Sequence, residues 1–344
     1  MTQKRTTIQD IAKRSGVTKA TVSMVMNNDT RITEATRKKV MEAVKALHYV
    51  PNESARKLAK GKSEVLAVLS PRFTAPYTSS FLEGIEMRAL EVSKYVHGVH
   101  PYTTRNQPAV LEDEMRRILY GRKADAVMLV TQTPPEEIVQ EYLRMNLPLI
   151  LVENTLDPTH SVRYDNEAGA RRAVEHLLER GRKRIAMIVG KQTPYEGYGS
   201  YQPPVERTAG YRKALEAHGI PFEDALVREV IHYVYEDGQE AMRHFLSSPK
   251  PPDAVFCAAG DIVAMGVMEE VRRQGKSVPK DVAVVGFDDI LPARFLNPPL
   301  TSVRQSAYEL GVQAFDIAMD AIEGKLKEKR HVVLDQELVV REST

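Results

Sequence analysis

Cysteine is nearly absent. Cys257 is the single thiol in 344 residues, so no disulfide can close within the chain and a reducing compartment is expected. No stretch approaches the roughly 18 consecutive apolar residues that a membrane-spanning helix needs, so no membrane partner is expected. The start, Met1-Thr2-Gln3-Lys4-Arg5-Thr6-Thr7-Ile8, has charges with no apolar run behind them, unlike an export signal. The protein is therefore expected in the cytoplasm. The nine histidines are scattered without metal-site spacing, and no glycine-rich phosphate loop follows a strand. Neither an enzyme nor a cofactor is indicated. Fixed-period repeats, low-complexity tracts and a heptad pattern at the C-terminus are also missing, so a terminal coiled coil is not expected to build a tetramer. What remains is globular: 42% hydrophobic, 27% charged, and long enough for two or three domains.

Charge is unevenly placed. Residues 1–60 hold 13 Lys and Arg against 5 Asp and Glu, a net of +8, whereas residues 61–344 hold 35 against 41, a net of −6. The whole-chain net of +2 hides a basic head on a mildly acidic body, the balance expected for a polyanionic partner. The same head carries capped helices. Thr7 with Asp10 makes a capping-box start for a helix through Ser15, and Gly16 breaks it. Thr18 caps a second helix, Lys19 to Asn27, and Thr33 a third, Glu34 to about Leu47. Helix, turn, helix, loop, helix is the order of a major-groove reader of double-stranded DNA.

On the second helix Val22, Val25 and Met26 recur at helical spacing and are expected to pack inward. Lys19, Ala20, Thr21, Ser23 and Met24 remain for the outer face. Lys19 can reach guanine acceptors or a phosphate, Ala20 can touch a thymine methyl, and Thr21 and Ser23 suit backbone or phosphate contacts. Beyond Pro51, Asn52 can cap a helix of two turns, too short to be stable alone in water. Leu58 is its apolar residue among Arg56, Lys57 and Lys60. That is the composition of a minor-groove wedge, and equally of a plain linker residue packing on the core.

Ile8-Gln9-Asp10-Ile11-Ala12, Gly16-Val17-Thr18-Lys19-Ala20-Thr21-Val22-Ser23, Asn27, Thr36-Arg37, Tyr49-Val50-Pro51-Asn52 and Ala55-Arg56-Lys57-Leu58 together resemble the LacI/GalR family of bacterial transcription regulators. The resemblance implies that Lys19 and Ala20 face operator bases, and that Leu58 inserts at the centre of a pseudo-palindromic operator. Residues 52–59 would fold on DNA as a hinge helix paired with that of a homodimer mate. Thr7, Thr18, Asn27, Asn52 and Ala55 complete the expected DNA-facing set. Met24 departs from the pattern: family members often place a longer polar or basic residue there, and a thioether cannot donate to a base.

The body, residues 62–344, alternates apolar runs with amphipathic helices, the signature of parallel α/β structure. Val65–Leu69, Ala126–Val130, Leu149–Val152, Ile185–Val189, Ala254–Cys257 and Val282–Gly286 read as buried parallel strands, which makes Cys257 an inert core residue. Two doubly wound lobes are expected, with ligand bound outside the carboxyl ends of the strands. The family resemblance extends here through Asp165-Asn166-Glu167-Ala168-Gly169-Ala170, Glu206-Arg207-Thr208-Ala209-Gly210-Tyr211 and Val285-Gly286-Phe287-Asp288-Asp289. It implies a periplasmic-binding-protein-like core that dimerises. The chain would cross between lobes near 160–163, 289–292 and 323–327. Expected domains are then a helix-turn-helix head at 1–50, a hinge at 51–61 and the core at 62–344. The N-terminal lobe would take about 62–161 and 291–323, and the C-terminal lobe about 162–290 and 324–344.

A guanidinium fork and a carboxylate can each bind adjacent hydroxyls. Arg207, opening a helix, and Asp288, ending a strand, are therefore the leading effector residues, although each could instead be a solvated helix-start cation or a structural cap. Phe73, Tyr77 and Tyr233 are candidate aromatic walls or plain packing. Asp261 joins the set beside Gly260, which stands where many relatives carry Asn. The same Gly-Asp pairing resembles the purine-repressor branch. The expected function is an effector-controlled repressor of a carbohydrate operon, with a sugar or sugar phosphate as the small-molecule effector. A purine or nucleoside regulator of the same architecture is the alternative. Residues 191–206, rich in Tyr, Gly and Pro, read as a surface loop or a lid.

Overall fold

The computed structural model describes residues 6–26, 29–49, 63–92, 98–192 and 202–344. The chain forms two compact units, Met1–Ser63 and Glu64–Thr344. In the first, α1 (Ile8–Ser15), α2 (Lys19–Met26) and α3 (Glu34–Ala46) surround a core of Ile11, Ala12, Val22, Val25, Val40 and Ala43, with Met26 half-buried against it. The local signals act as expected. The Thr7 amide donates to Asp10 Oδ2 at 2.8 Å. Gly16 ends α1 in the left-handed region at φ 71°. The Thr21 amide donates to Thr18 Oγ1 at 3.1 Å, and the Thr33 side chain caps α3. Asn27 and the whole expected hinge, with Asn52, Ala55 and Leu58, lie outside the described residues.

The second unit runs β1 (Leu66–Ser70), α4 (Pro76–Glu91), β2 (Val99–Thr103), α5 (Pro108–Tyr120), β3 (Ala126–Val130), α6 (Glu136–Arg144), β4 (Leu149–Val152), β5 (His160–Tyr164), α7 (Asn166–Glu179) and β6 (Ile185–Gly190). It continues with α8 (Gln202–Ala217), β7 (Val227–Val230), α9 (Tyr235–Leu246), β8 (Ala254–Cys257), α10 (Asp261–Arg273), β9 (Ala283–Asp288), β10 (Thr301–Arg304), α11 (Ala307–Ile322), β11 (His331–Leu334) and β12 (Glu337–Val339). Two six-stranded sheets result, ordered β2-β1-β3-β4-β5-β11 and β7-β6-β8-β9-β10-β12. All their pairings are parallel except β10 with β12. Central strands such as β1, β3 and β6 are buried along their whole length, as a sheet covered on both faces requires.

The chain crossings differ from expectation. β5 still belongs to the first sheet, so the first crossing falls at Asp165. β10 pairs with β9 in the second sheet, and α11 then packs on α4 and the first sheet, so the second crossing is at Gln305–Ser306 and not at 289–292. β11 pairs with β5 and β12 with β10, which moves the third crossing from 323–327 to Asp335–Gln336. Short strands with polar residues, Thr301-Ser302-Val303-Arg304 above all, lack the apolar run that would have marked them. The stretch 202–206, assigned to a loop, is the first turn of α8, where Pro203 and Pro204 cost no helix hydrogen bond. Residues 193–201 lie outside the described set.

α4 and α11 pack with backbones in near contact. A Cβ on Gly84 would overlap the Tyr308 carbonyl, and one on Gly311 would overlap the Phe81 carbonyl. Gly311→Ala is therefore expected to destabilise the core by about 1–3 kcal/mol despite its better helix propensity. A thermal midpoint equal to or above wild type would contradict this close approach.

Candidate functional site

In the head, Lys19, Ala20 and Met24 are exposed along α2, while Thr21 and Ser23 are half-buried. Thr7, Thr18 and Thr21 turn out to be engaged locally. The Thr7 hydroxyl donates to Asp10 at 2.7 Å, and the Thr18 and Thr21 hydroxyls pair at 2.9 Å.

In the core a cavity of about 550 Å³ opens between the two sheets. Its walls are the segments that follow the carboxyl ends of the strands: Ser70–Arg72 after β1, Arg105 and Asn106 after β2, Glu153 after β4, Ile231–Tyr233 after β7, Ala258–Gly260 after β8 and Asp288 at the end of β9. Arg207 comes from α8, and Gln305 from the second crossing.

Arg207 is buried. Its Nε donates to Asn166 Oδ1 at 2.8 Å, Nη1 to the Ala258 carbonyl at 2.7 Å and Nη2 to Gln305 Oε1 at 3.5 Å. The guanidinium carbon lies 3.7 Å from the centre of the Phe287 ring. Asn166 in turn donates to Glu153 Oε2 at 3.0 Å, and the Tyr164 amide donates to Glu153 Oε1 at 3.0 Å. Gln305 Nε2 donates to Asp288 Oδ1. Burial pushes both the Glu153 and the Asp288 carboxyls above the usual range, while Arg207 pulls each down.

Three further features converge here. The Tyr77 hydroxyl is buried and has no hydrogen-bond partner among the described residues. Burial, then the charges of Glu153 and Asp288, raise its pKa well above the phenol value. Glu153, Tyr233 and Asp288 all have left-handed backbone, at φ 62°, 56° and 104°, conformations that cost non-glycine residues free energy and gather at ligand sites. Glycine at 260 is also required sterically: at φ 109° its Cβ would stand 2.9 Å from Asp288 Oδ2.

Of the expected effector residues, Tyr77, Arg207, Tyr233 and Asp288 line this cavity. Phe73 does not; it packs against the hydrophobic core of the first lobe. Asp261 does not either. It is fully buried, accepting from the Ser302 hydroxyl at 2.7 Å and the Ile290 amide at 2.9 Å, and so it braces the end of β9. Cys257 is buried, as expected, and burial holds its thiol well above the usual pKa. Glu153, Asn166 and Gln305 were missed. Glu153 was readable as the residue after the Leu149–Val152 run; Gln305 was hidden because β10 was.

The two lobes also touch at the cavity margins. Arg72 Nη2 donates to the His232 carbonyl at 2.6 Å, and Gln202 exchanges bonds with Thr155, receiving its amide at 2.7 Å and donating to its carbonyl at 2.7 Å.

Residues 7–52 match the model of bacterial regulatory proteins of the lacI family, and residues 174–344 match a periplasmic binding protein-like domain. The chain is 33% identical to the HTH-type transcriptional regulator CelR of Thermobifida fusca, covering 99% of each. Among solved structures it resembles a CelR–cellobiose complex, with TM-score 0.73 and 31% identity over 99% of this chain and 100% of the other. It also resembles the lac repressor dimer bound to operator and the anti-inducer ONPF, with TM-score 0.86 and 26% identity over 99% of both chains.

The raised carboxyls set a pH dependence. A native acid with raised pKa holds its proton more tightly than the unfolded chain, so stability falls as pH rises from the ordinary carboxylate range through the raised values. Asp288→Asn is expected to flatten that fall in denaturant titrations from pH 4 to 8. A slope unchanged by the substitution would contradict the buried-acid assignment.

Proposed function

Because the chain belongs to the lacI family of bacterial regulatory proteins, we propose that it is a repressor of a carbohydrate operon, released or enforced by a polyhydroxylated effector held in the core cavity. A sugar or sugar phosphate is the effector class. The observation that carries this is the junction between the lobes of Arg207, Asp288 and the Tyr77 hydroxyl, which has no hydrogen-bond partner among the described residues. A ring hydroxyl could accept from Tyr77 and donate to Asp288 Oδ2, and a vicinal partner could accept from Arg207. The CelR–cellobiose complex, built on the same architecture, supports the class.

In this reading Lys19, Ala20 and Met24 face the bases in the major groove, Ser23 contacts the phosphate backbone, and Asn27 belongs to the DNA-facing set. Thr7, Thr18 and Thr21 contact the phosphate backbone. Asn52, Ala55 and Leu58 form the hinge that reads the minor groove at the operator centre. The working unit is a homodimer on a pseudo-palindromic operator, acting in the cytoplasm at the nucleoid and catalysing no reaction. The head, hinge and core divide as 1–50, 51–61 and 62–344. Effector binding matters only through its unequal affinity for the two lobe arrangements. Arg207 and its amide partners on the chain crossings would carry that inequality.

The test is selection of bound duplexes from a random pool, followed by operator titration with a panel of sugars, sugar phosphates and nucleosides. One sugar-class ligand should change operator affinity, and Arg207→Ala should abolish that response while operator binding survives. A response only to nucleosides, or a normal response in Arg207→Ala, would sink the reading. Operator affinity should also fall steeply with salt as Lys and Arg replace counterions; a flat dependence would remove the DNA-binding role.

A further inference from the structure

Part of the outward face of α2 has no hydrogen-bonding capacity. Val22 and Val25 are buried in the head, and the hydroxyls of Thr18 and Thr21 serve the first helical turn. Lys19, Ala20, Ser23 and Met24 remain. Lys19 is the helix's one charge, and it has no acidic residue. Ala20 and Met24 stand one turn apart, so their β-carbons are neighbours at about 5–6 Å. Met24 is 36% exposed.

A thioether donates no hydrogen bond, and a methyl neither donates nor accepts. An apolar pair therefore gains nothing from the acceptors of guanine or the amino groups of adenine and cytosine. The group on the major-groove edge that it complements is the 5-methyl of thymine. Methionine is unbranched and polarisable, so it can fold over such a methyl without a fixed rotamer. Leaving this pair in water would forfeit the burial free energy that the bound complex makes available.

We propose that Ala20 and Met24 form an apolar pair that reads thymine 5-methyl groups in each operator half-site. This rests on the DNA-binding reading above and names what its recognition helix recognises.

The experiment uses the full-length protein and the palindrome selected from the random pool. Each thymine is replaced in turn by deoxyuridine, which removes the methyl and leaves base pairing intact. Replacement at one or two symmetry-related positions should weaken binding by about fourfold per methyl removed. Met24→Ala should bind the parent operator more weakly and lose the sensitivity at those positions. Met24→Arg should move the selected base there from thymine to guanine. The proposal is overturned if deoxyuridine is tolerated everywhere on an operator that still binds specifically. It is equally overturned if Met24→Ala keeps the full sensitivity. Failure to enrich any palindrome would remove the DNA-binding reading and this proposal together.

Discussion

One buried charge organises the core. The Arg207 guanidinium is removed from water, and such a group is tolerated only when its donors are satisfied. Its partners are not arbitrary. Asn166 follows the first chain crossing, and Gln305 lies on the second. Gln305 Oε1 also accepts from Gln336 Nε2 at 3.1 Å, on the third crossing. The three strands of chain that join the lobes thus each present an amide side chain to one network, and that network ends on Arg207. Any relative motion of the lobes must pass through these crossings. A ligand that engages the guanidinium therefore acts on the groups that such motion disturbs, and this is the physical content that allosteric coupling needs.

Around that cation stand two carboxylates, Glu153 from the first lobe and Asp288 from the second. Both are desolvated, and both are fixed by donated hydrogen bonds. Burial raises both acids above the usual carboxyl range, and the Arg207 guanidinium pulls each back down. Left-handed backbone at Glu153, Tyr233 and Asp288 aims these residues at the cavity, at a cost the surrounding sheets must absorb. Glycine at 260 and at 190 allows it: a Cβ would press on Asp288 at the first and on the Tyr233 hydroxyl at the second. The cavity is thus defined as much by missing side chains as by present ones.

The head was legible because its signals are local. The Thr7–Asp10 cap, Gly16 and the Thr18 and Thr33 caps each act within a few residues. The central strands were legible because a sheet buried on both faces demands unbroken apolar runs, as in Leu66–Ser70 and Ile185–Gly190. Other strands were not. Val99–Thr103 is largely exposed or half-buried, and Thr301–Arg304, an inner strand between β9 and β12, hides its burial under small polar residues. With β10 unread, and the short apolar strand after Arg330 given to the C-terminal lobe although it pairs with β5, two crossings were misplaced and Gln305 and Gln336 could not be recognised. Asp261 shows a different limit. Residue type alone cannot separate an acid that meets a ligand from one held by Ser302 and the Ile290 amide, because that difference is tertiary.

The proposed function requires the cavity and the DNA-reading head to be coupled through the lobe crossings. Linkage makes it directly measurable, since the factor by which an effector changes operator affinity must equal the factor by which operator changes effector affinity. The decisive measurement is effector affinity by calorimetry, with and without saturating operator duplex. Two different affinities are expected, whose ratio matches the shift in operator affinity and collapses toward one when Gln305→Ala cuts the network. Equal effector affinity with and without operator would contradict it.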